Sequence, residues 1–149
     1  MDTVKLTPNI TNKDVLHDLF GKKYLNYELT LGKDIFYWSV LAGQNNVVIL
    51  PITKDNKIVC LRQYRVAAES IVWELPNGTI YENIEQTASQ ELLEETGYTG
   101  DIHILPEAHY FEPSSLTAKF YVALAKNCVY KQPPQYDKYE FAETFVLDW

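Results

Sequence analysis

GTIYENIEQTASQELLEETGY, residues 78–98, carries the reading from which the rest of the chain follows. Residues 83–96 contain no Gly or Pro, and Gly97 stands where a chain commonly leaves a helix through the left-handed region. The stretch predicts one helix over 83–96. At about 100° per residue, Ile84, Ala88 and Leu92 fall in one arc, which is the face for a core. Glu91 and Glu95 flank that arc one turn apart, and Glu94 stands beside them, three residues from Glu91. Three carboxylates at one corner repel one another, and their pKa values rise unless a cation neutralises them. Clustered oxygen ligands of this type suit hard divalent ions such as Mg²⁺ or Mn²⁺. A Glu-rich helix simply turned to solvent is the alternative reading, because Glu is a good helix former.

The charge around this helix is one-sided. Between Arg65 and Lys119 there is no Lys or Arg, while ten acidic residues fall in the gap. The chain as a whole is −7, so the remainder, with all 13 basic residues, is +3. The pairing of Glu with Lys at a spacing of four that usually supports an exposed helix is missing, which points to a positive charge supplied from outside the chain. An acidic surface argues against nucleic acid and anionic lipid as partners.

The flanking segments read as strands. KYLNYELTL (23–31) and DIFYWSVLA (34–42) are rich in aromatic and β-branched residues, with a hairpin at Gly32–Lys33. NVVILPI (46–52) and KIVCLRQYR (57–65) repeat the arrangement around residues 54–56, and SIVWELP (70–76) is stopped by Pro76 and followed by an Asn77–Gly78 turn. IHILPEAHYF (102–111), KFYVALAK (119–126) and ETFVLDW (143–149) return to strand character, and NKDVLHDLF (12–20) reads as a short helix. The class is α+β, with a mixed, mostly antiparallel sheet system around one central helix.

The 149 residues match one domain, with strands in 1–45 preceding a core in 46–149. No apolar stretch approaches the roughly 20 residues of a membrane helix. No leader pattern is visible at the N-terminus, so the cytoplasm is the expected location. Cys60 and Cys128 have neither disulfide-scaffold nor metal-ligand spacing and read as buried thiols. His17, His103 and His109 share no spacing and read as structural or exposed.

WELPN (73–77) followed by residues 78–98 resembles the signature box of the Nudix hydrolases: a Gly, a Glu, then Arg-Glu, an aliphatic residue, any residue, Glu-Glu, any residue and Gly. QELLEETGY (90–98) matches at all but one fixed position, where Gln90 stands for the family's Arg. Three residues rather than five separate Gly78 from Glu82. RQYR (62–65) ahead of WELPNG is similar to the branch that cleaves ADP-ribose and nucleoside-diphosphate sugars. The resemblance implies an α/β/α sandwich with a mixed sheet, a central catalytic helix and N-terminal antiparallel strands. It implies Glu91 and Glu95 as Mg²⁺ ligands (Mn²⁺ as an alternative ion) and Glu94 as a further ligand or water-orienting base. The Asn77 carbonyl would join them from the Gly78 turn, and Glu82 would begin the helix and orient its neighbours or reach metal through water.

Further roles follow from the same resemblance. Arg65 would contact the diphosphate, with a structural ion pair to Glu74 or Glu69 as the alternative, and Arg62 is a weaker candidate. Tyr24 and Trp38 resemble aromatics that stack a purine, commonly across a homodimer. Pro113 resembles a downstream Pro tied to ADP-ribose preference, although Ser114 replaces the usual Gly. Glu140 is the choice for a catalytic carboxylate on a loop. The expected reaction is Mg²⁺-dependent hydrolysis of ADP-ribose or a related nucleoside-diphosphate sugar to a nucleoside monophosphate and a sugar phosphate, with water as the nucleophile. A catalytically weakened nucleotide-binding module, and a nucleoside triphosphate or dinucleoside polyphosphate hydrolase, are the other readings.

Overall fold

Three long strands open the chain in the computed structural model, which describes residues 8–19, 22–136 and 141–148. These are β1 (Asn9–Leu19), β2 (Lys22–Leu31) and β3 (Asp34–Ala42), an antiparallel sheet in that order. Where a helix is expected over 12–20, the described residues as far as Leu19 are a strand. A nine-residue helix is marginal in water, whereas β1 gains a full ladder against β2, with Val15 opposite Leu25 and Ile10 opposite Leu29. The hairpin at Gly32–Lys33 forms as expected, pairing Leu31 with Asp34. Together with Tyr110–Lys119, the chain up to Gln44 makes one compact unit.

The second unit, Asn45–His109 with Phe120–Trp149, contains the helix. Its strands are β4 (Asn46–Thr53), β5 (Ile58–Arg65), β6 (Ser70–Glu74), β7 (Asn77–Thr79), β8 (Tyr98–Tyr110), β9 (Lys119–Tyr130) and β10 (Ala142–Leu147). The main path runs β10-β5-β4-β9-β8, with β6 paired to β5 and β7 to β4. The β4–β9 pair is parallel and the β4–β5, β4–β7, β5–β6 and β5–β10 pairs are antiparallel, so the sheet is mixed. Residues 77–78, expected as a turn, are a short strand instead, because β4 offers them a pairing edge at Val47 and Val48.

Helix α1 spans Ile84–Thr96. Asn83 caps its start, its side chain accepting a hydrogen bond from the Gln86 N–H at 2.9 Å, and Glu85 lies favourably in the first turn. Glu82 consequently precedes the helix rather than beginning it. Gly97 ends α1 at φ 76°, and a Cβ there would collide with the Gln132 carbonyl, so glycine is required on both counts. The stripe Ile84, Ala88, Leu92 and Thr96 faces the sheet, with Ala88, Leu92 and Thr96 fully buried. Their partners are Val47 and Ile49 of β4 and Ala123, Ala125 and Cys128 of β9. Alanines on both sides of this contact leave little volume between helix and sheet. Cys60 and Cys128 are free and buried, as expected, and burial pushes the Cys128 thiol up to about 11. Among the described residues no helix is long and apolar enough to cross a membrane.

Candidate active site

The acidic face of α1 meets the backbone of β7. Leu92 and Thr96 are pinned to the core, which leaves Glu91 and Glu95 half-buried at the rim of the same contact. Glu95 Oε2 accepts a hydrogen bond from the Asn77 N–H at 2.9 Å. The Glu91 side chain lies against Gly78 so closely that a Cβ on Gly78 would fall inside the carboxylate group. Glycine at 78 is thus a condition for Glu91 to sit where it does. β7 cannot yield, because β4 holds it: Ile49 N–H donates to the Pro76 carbonyl at 2.8 Å, and Thr79 Oγ1 bonds Asn46 Oδ1 at 3.1 Å.

Two of the three expected carboxylates are therefore brought together, and Glu94 is turned to solvent. Glu82 is also exposed. Among the described residues no group of three or more His, Cys, Asp or Glu side chains is gathered closely enough to hold a metal ion. Asn77 meets Glu95 through its N–H. Gln90 is exposed on the helix. Two half-buried carboxylates against a fixed backbone segment remain an all-oxygen donor set suited to a hard divalent ion.

The two arginines of RQYR go to opposite sides of the sheet, as their odd spacing requires. Arg65 forms a bidentate pair with Glu74, Nε to Oε1 at 2.8 Å and Nη2 to Oε2 at 2.5 Å. Glu74 is one of the two ion-pair partners expected for Arg65, and it stands three residues before Asn77. Arg62 bonds Glu143 Oε2 at 2.6 Å, its guanidinium 6.0 Å from the Trp73 ring centre and 5.0 Å from that of Phe145. It also borders an open cleft of about 500 Å³ with Tyr64, Ile71, Phe141, Ala142 and Glu143.

Tyr24, Trp38 and Pro113 belong to the first unit. Tyr24 pairs across the ladder with Leu41, and Trp38 with Tyr27. Residues 24 and 27 alternate faces on β2, so Tyr24 and Trp38 lie on opposite faces and cannot be the two walls of one clamp within one chain. Trp38 Nε1 donates to the Ser114 carbonyl at 2.7 Å, beside exposed Pro113 in the β8–β9 connection. In the same turn Ser114 hydrogen bonds to Glu112 hold that carboxyl below its ordinary range. His103 and His109 are exposed, the latter ring 5.4 Å from that of Phe120. His17 lies on β1. Glu140 lies outside the described residues.

Gln63 was missed by sequence reasoning. It is 5% exposed, and its Oε1 is buried without a hydrogen-bond partner. Its position between two arginines was a signal, but burial could not be read before β5 was known to be flanked by both β6 and β10 at this residue.

Residues 43–148 match the NUDIX domain family model. An ADP-ribose pyrophosphatase of Bacillus subtilis is 34% identical over 104 residues, covering 68% of this chain and 56% of that protein. An uncharacterised Nudix hydrolase of Schizosaccharomyces pombe is 31% identical over 108 residues, covering 68% and 53%. A methanol dehydrogenase activator of Bacillus methanolicus is 44% identical over a shorter stretch of 54 residues, 35% of this chain and 29% of that one. The matched stretches span about half the length of the first and second of these relatives. Among solved structures, an ADP compounds hydrolase superposes with a TM-score of 0.80 at 21% identity, covering 94% of this chain and 77% of that one, which shows a shared fold.

Proposed function

The chain belongs to the Nudix family, and from that premise we propose that it hydrolyses the pyrophosphate bond of ADP-ribose or a related nucleoside-diphosphate sugar. The observation that carries the reading is the convergence of Glu91 and Glu95 on the Asn77–Gly78 backbone inside a segment without a single Lys or Arg. The name of the Bacillus subtilis relative supports the choice of substrate.

Glu91 and Glu95 would hold Mg²⁺ or Mn²⁺, with the Asn77 backbone adjoining. A bound divalent ion supplies charge neutralisation for the diphosphate and acidifies water. The chain's own residues supply the frame. Packing of Leu92 and Thr96 fixes the height of the two carboxylates, and Gly78 gives Glu91 its room. Glu94, turned to solvent between them along the helix, is the group assigned to orienting the attacking water, with Glu140 as a further catalytic carboxylate and Glu82 orienting its neighbours or reaching metal through water. Arg65, steered by Glu74, would take a phosphate oxygen at the edge of the acidic corner, where a cation offsets the field against an incoming anion. Products would be a nucleoside monophosphate and a sugar phosphate.

A homodimer fits the first unit. One face of its sheet displays Ile10, Val15 and Trp38, each more than half exposed, in line with Tyr27, Leu29 and Phe36. Of the two aromatics, Trp38 lies on that face and would stack a base with a partner's residue, whereas Tyr24, on the other face, would not share that clamp. Exposed Gln90 in place of the family's Arg is what favours the second reading, a nucleotide-binding module of weak activity. Purified protein incubated with ADP-ribose, ADP-glucose, GDP-mannose, NADH and ATP, with Mg²⁺ or Mn²⁺, separates the readings. Release of AMP and ribose 5-phosphate from ADP-ribose supports the proposal; calorimetric binding without product at any metal concentration supports the module.

A further inference from the structure

A buried amide oxygen without a partner is costly, and native proteins keep few of them. Gln63 Oε1 is such an atom. Along β5 its side chain shares a face with Leu61 and Arg65. That is the α1 side of the sheet, since Leu61 is fully buried and odd-numbered residues of β4 and β5 share a face through the Ile52–Ile58 pairing. Its two cross-strand neighbours are Val72 of β6 and Ala142 of β10, whose side chains have nothing to donate. Arg65 lies two residues on, about 7 Å along the strand, and its guanidinium is set by Glu74, whose own cross-strand partner is Leu61.

An acceptor beside a cation discriminates in a definite way. A phosphate oxygen satisfies Arg65 but is repelled by the Gln63 oxygen, which needs an O–H or N–H. A molecule carrying a phosphate and, one sugar bond away, a hydroxyl meets both demands. Resting on the hydrolase reading above, we propose that Gln63 is a substrate contact: its carboxamide oxygen accepts a hydrogen bond from a hydroxyl of a sugar flanking the diphosphate that Arg65 binds. Gln63 thereby distinguishes a nucleoside-diphosphate sugar from a bare polyphosphate chain of the same charge.

Gln63→Met tests this, because it keeps the shape of the side chain and removes the orphan oxygen. The expected result is an unchanged or higher melting temperature with a KM for ADP-ribose raised about 10-fold and kcat nearly constant, the pattern of lost ground-state binding. With analogues lacking one hydroxyl at a time from either ribose, wild type loses the same factor for one analogue. For that analogue Gln63→Met loses nothing more. Unchanged KM in Gln63→Met, or losses that multiply for every analogue, would overturn the contact and leave the oxygen to a buried water. A lowered melting temperature with unchanged KM would likewise overturn it in favour of a structural role. If wild type turned over no nucleoside-diphosphate sugar, the hydrolase reading itself would fall, an outcome distinct from turnover that ignores Gln63.

Discussion

Arg62 and Arg65 begin as near-equivalents in one four-residue run and end with different physical lives. Arg65 presents a guanidinium edge to Glu74 on the α1 side of the sheet, three residues ahead of the segment that receives Glu91 and Glu95. Arg62, on the other side, is flanked by Trp73 of β6 and Phe145 of β10 and paired with Glu143, so it ties three strands together. The same residue type serves orientation in one place and packing in the other. The difference comes from strand parity, which sends alternate residues to faces of unlike composition.

Substitutions that ought to affect one side only separate the two arginines. The largest effect is expected from the carboxylate corner that Arg65 adjoins. Gly78→Ala leaves the fold standing, since what must move is the Glu91 side chain, but it displaces that carboxylate, and kcat/KM should fall about 100-fold. Circular dichroism and steady-state kinetics on the same sample check both halves. Arg65→Lys gives up the fork that fits Glu74 and a phosphate together, and kcat/KM should drop by about 30-fold, the equivalent of one charged hydrogen bond. Glu74→Gln keeps one acceptor while removing the charge that orients Arg65; KM should rise about 10-fold, and the loss should shrink when measured in the Arg65→Lys background. Arg62→Met is the control from the far face. It should cost about 1–2 kcal/mol in urea unfolding, from two ring contacts and a partly exposed ion pair, with kcat/KM within about 2-fold of wild type. A large kinetic loss in Arg62→Met would erase the distinction between the two arginines.

Much of this was legible in the residues because local and global preferences agree. The 84-88-92 stripe, the Gly97 stop and the rim position of Glu91 and Glu95 all followed from helical period, since nothing in the tertiary structure opposes it. The hairpin at Gly32–Lys33 fixes which residues oppose one another, so strand parity alone could have put Tyr24 and Trp38 on opposite faces. β1 was not legible: its apolar residues are sparse, and only pairing with β2 makes it extended. Asn77–Gly78 reads as a turn because Asn-Gly is a turn signal, and the β4 edge overrides it. The outward turn of Glu94 and the orphaned oxygen of Gln63 depend on what neighbours leave unfilled, which no spacing along a chain encodes.

On the reading proposed above, Glu91 and Glu95 form one divalent-cation corner against the Asn77–Gly78 backbone. Titrating Mn²⁺ into wild type and Glu95→Gln, with free ion followed by electron paramagnetic resonance and ADP-ribose turnover measured in parallel, tests it directly. Wild type should bind Mn²⁺ saturably, Glu95→Gln should lose at least about 10-fold in affinity, and turnover should disappear with the binding. Equal Mn²⁺ affinity in the two proteins with undiminished turnover would contradict it.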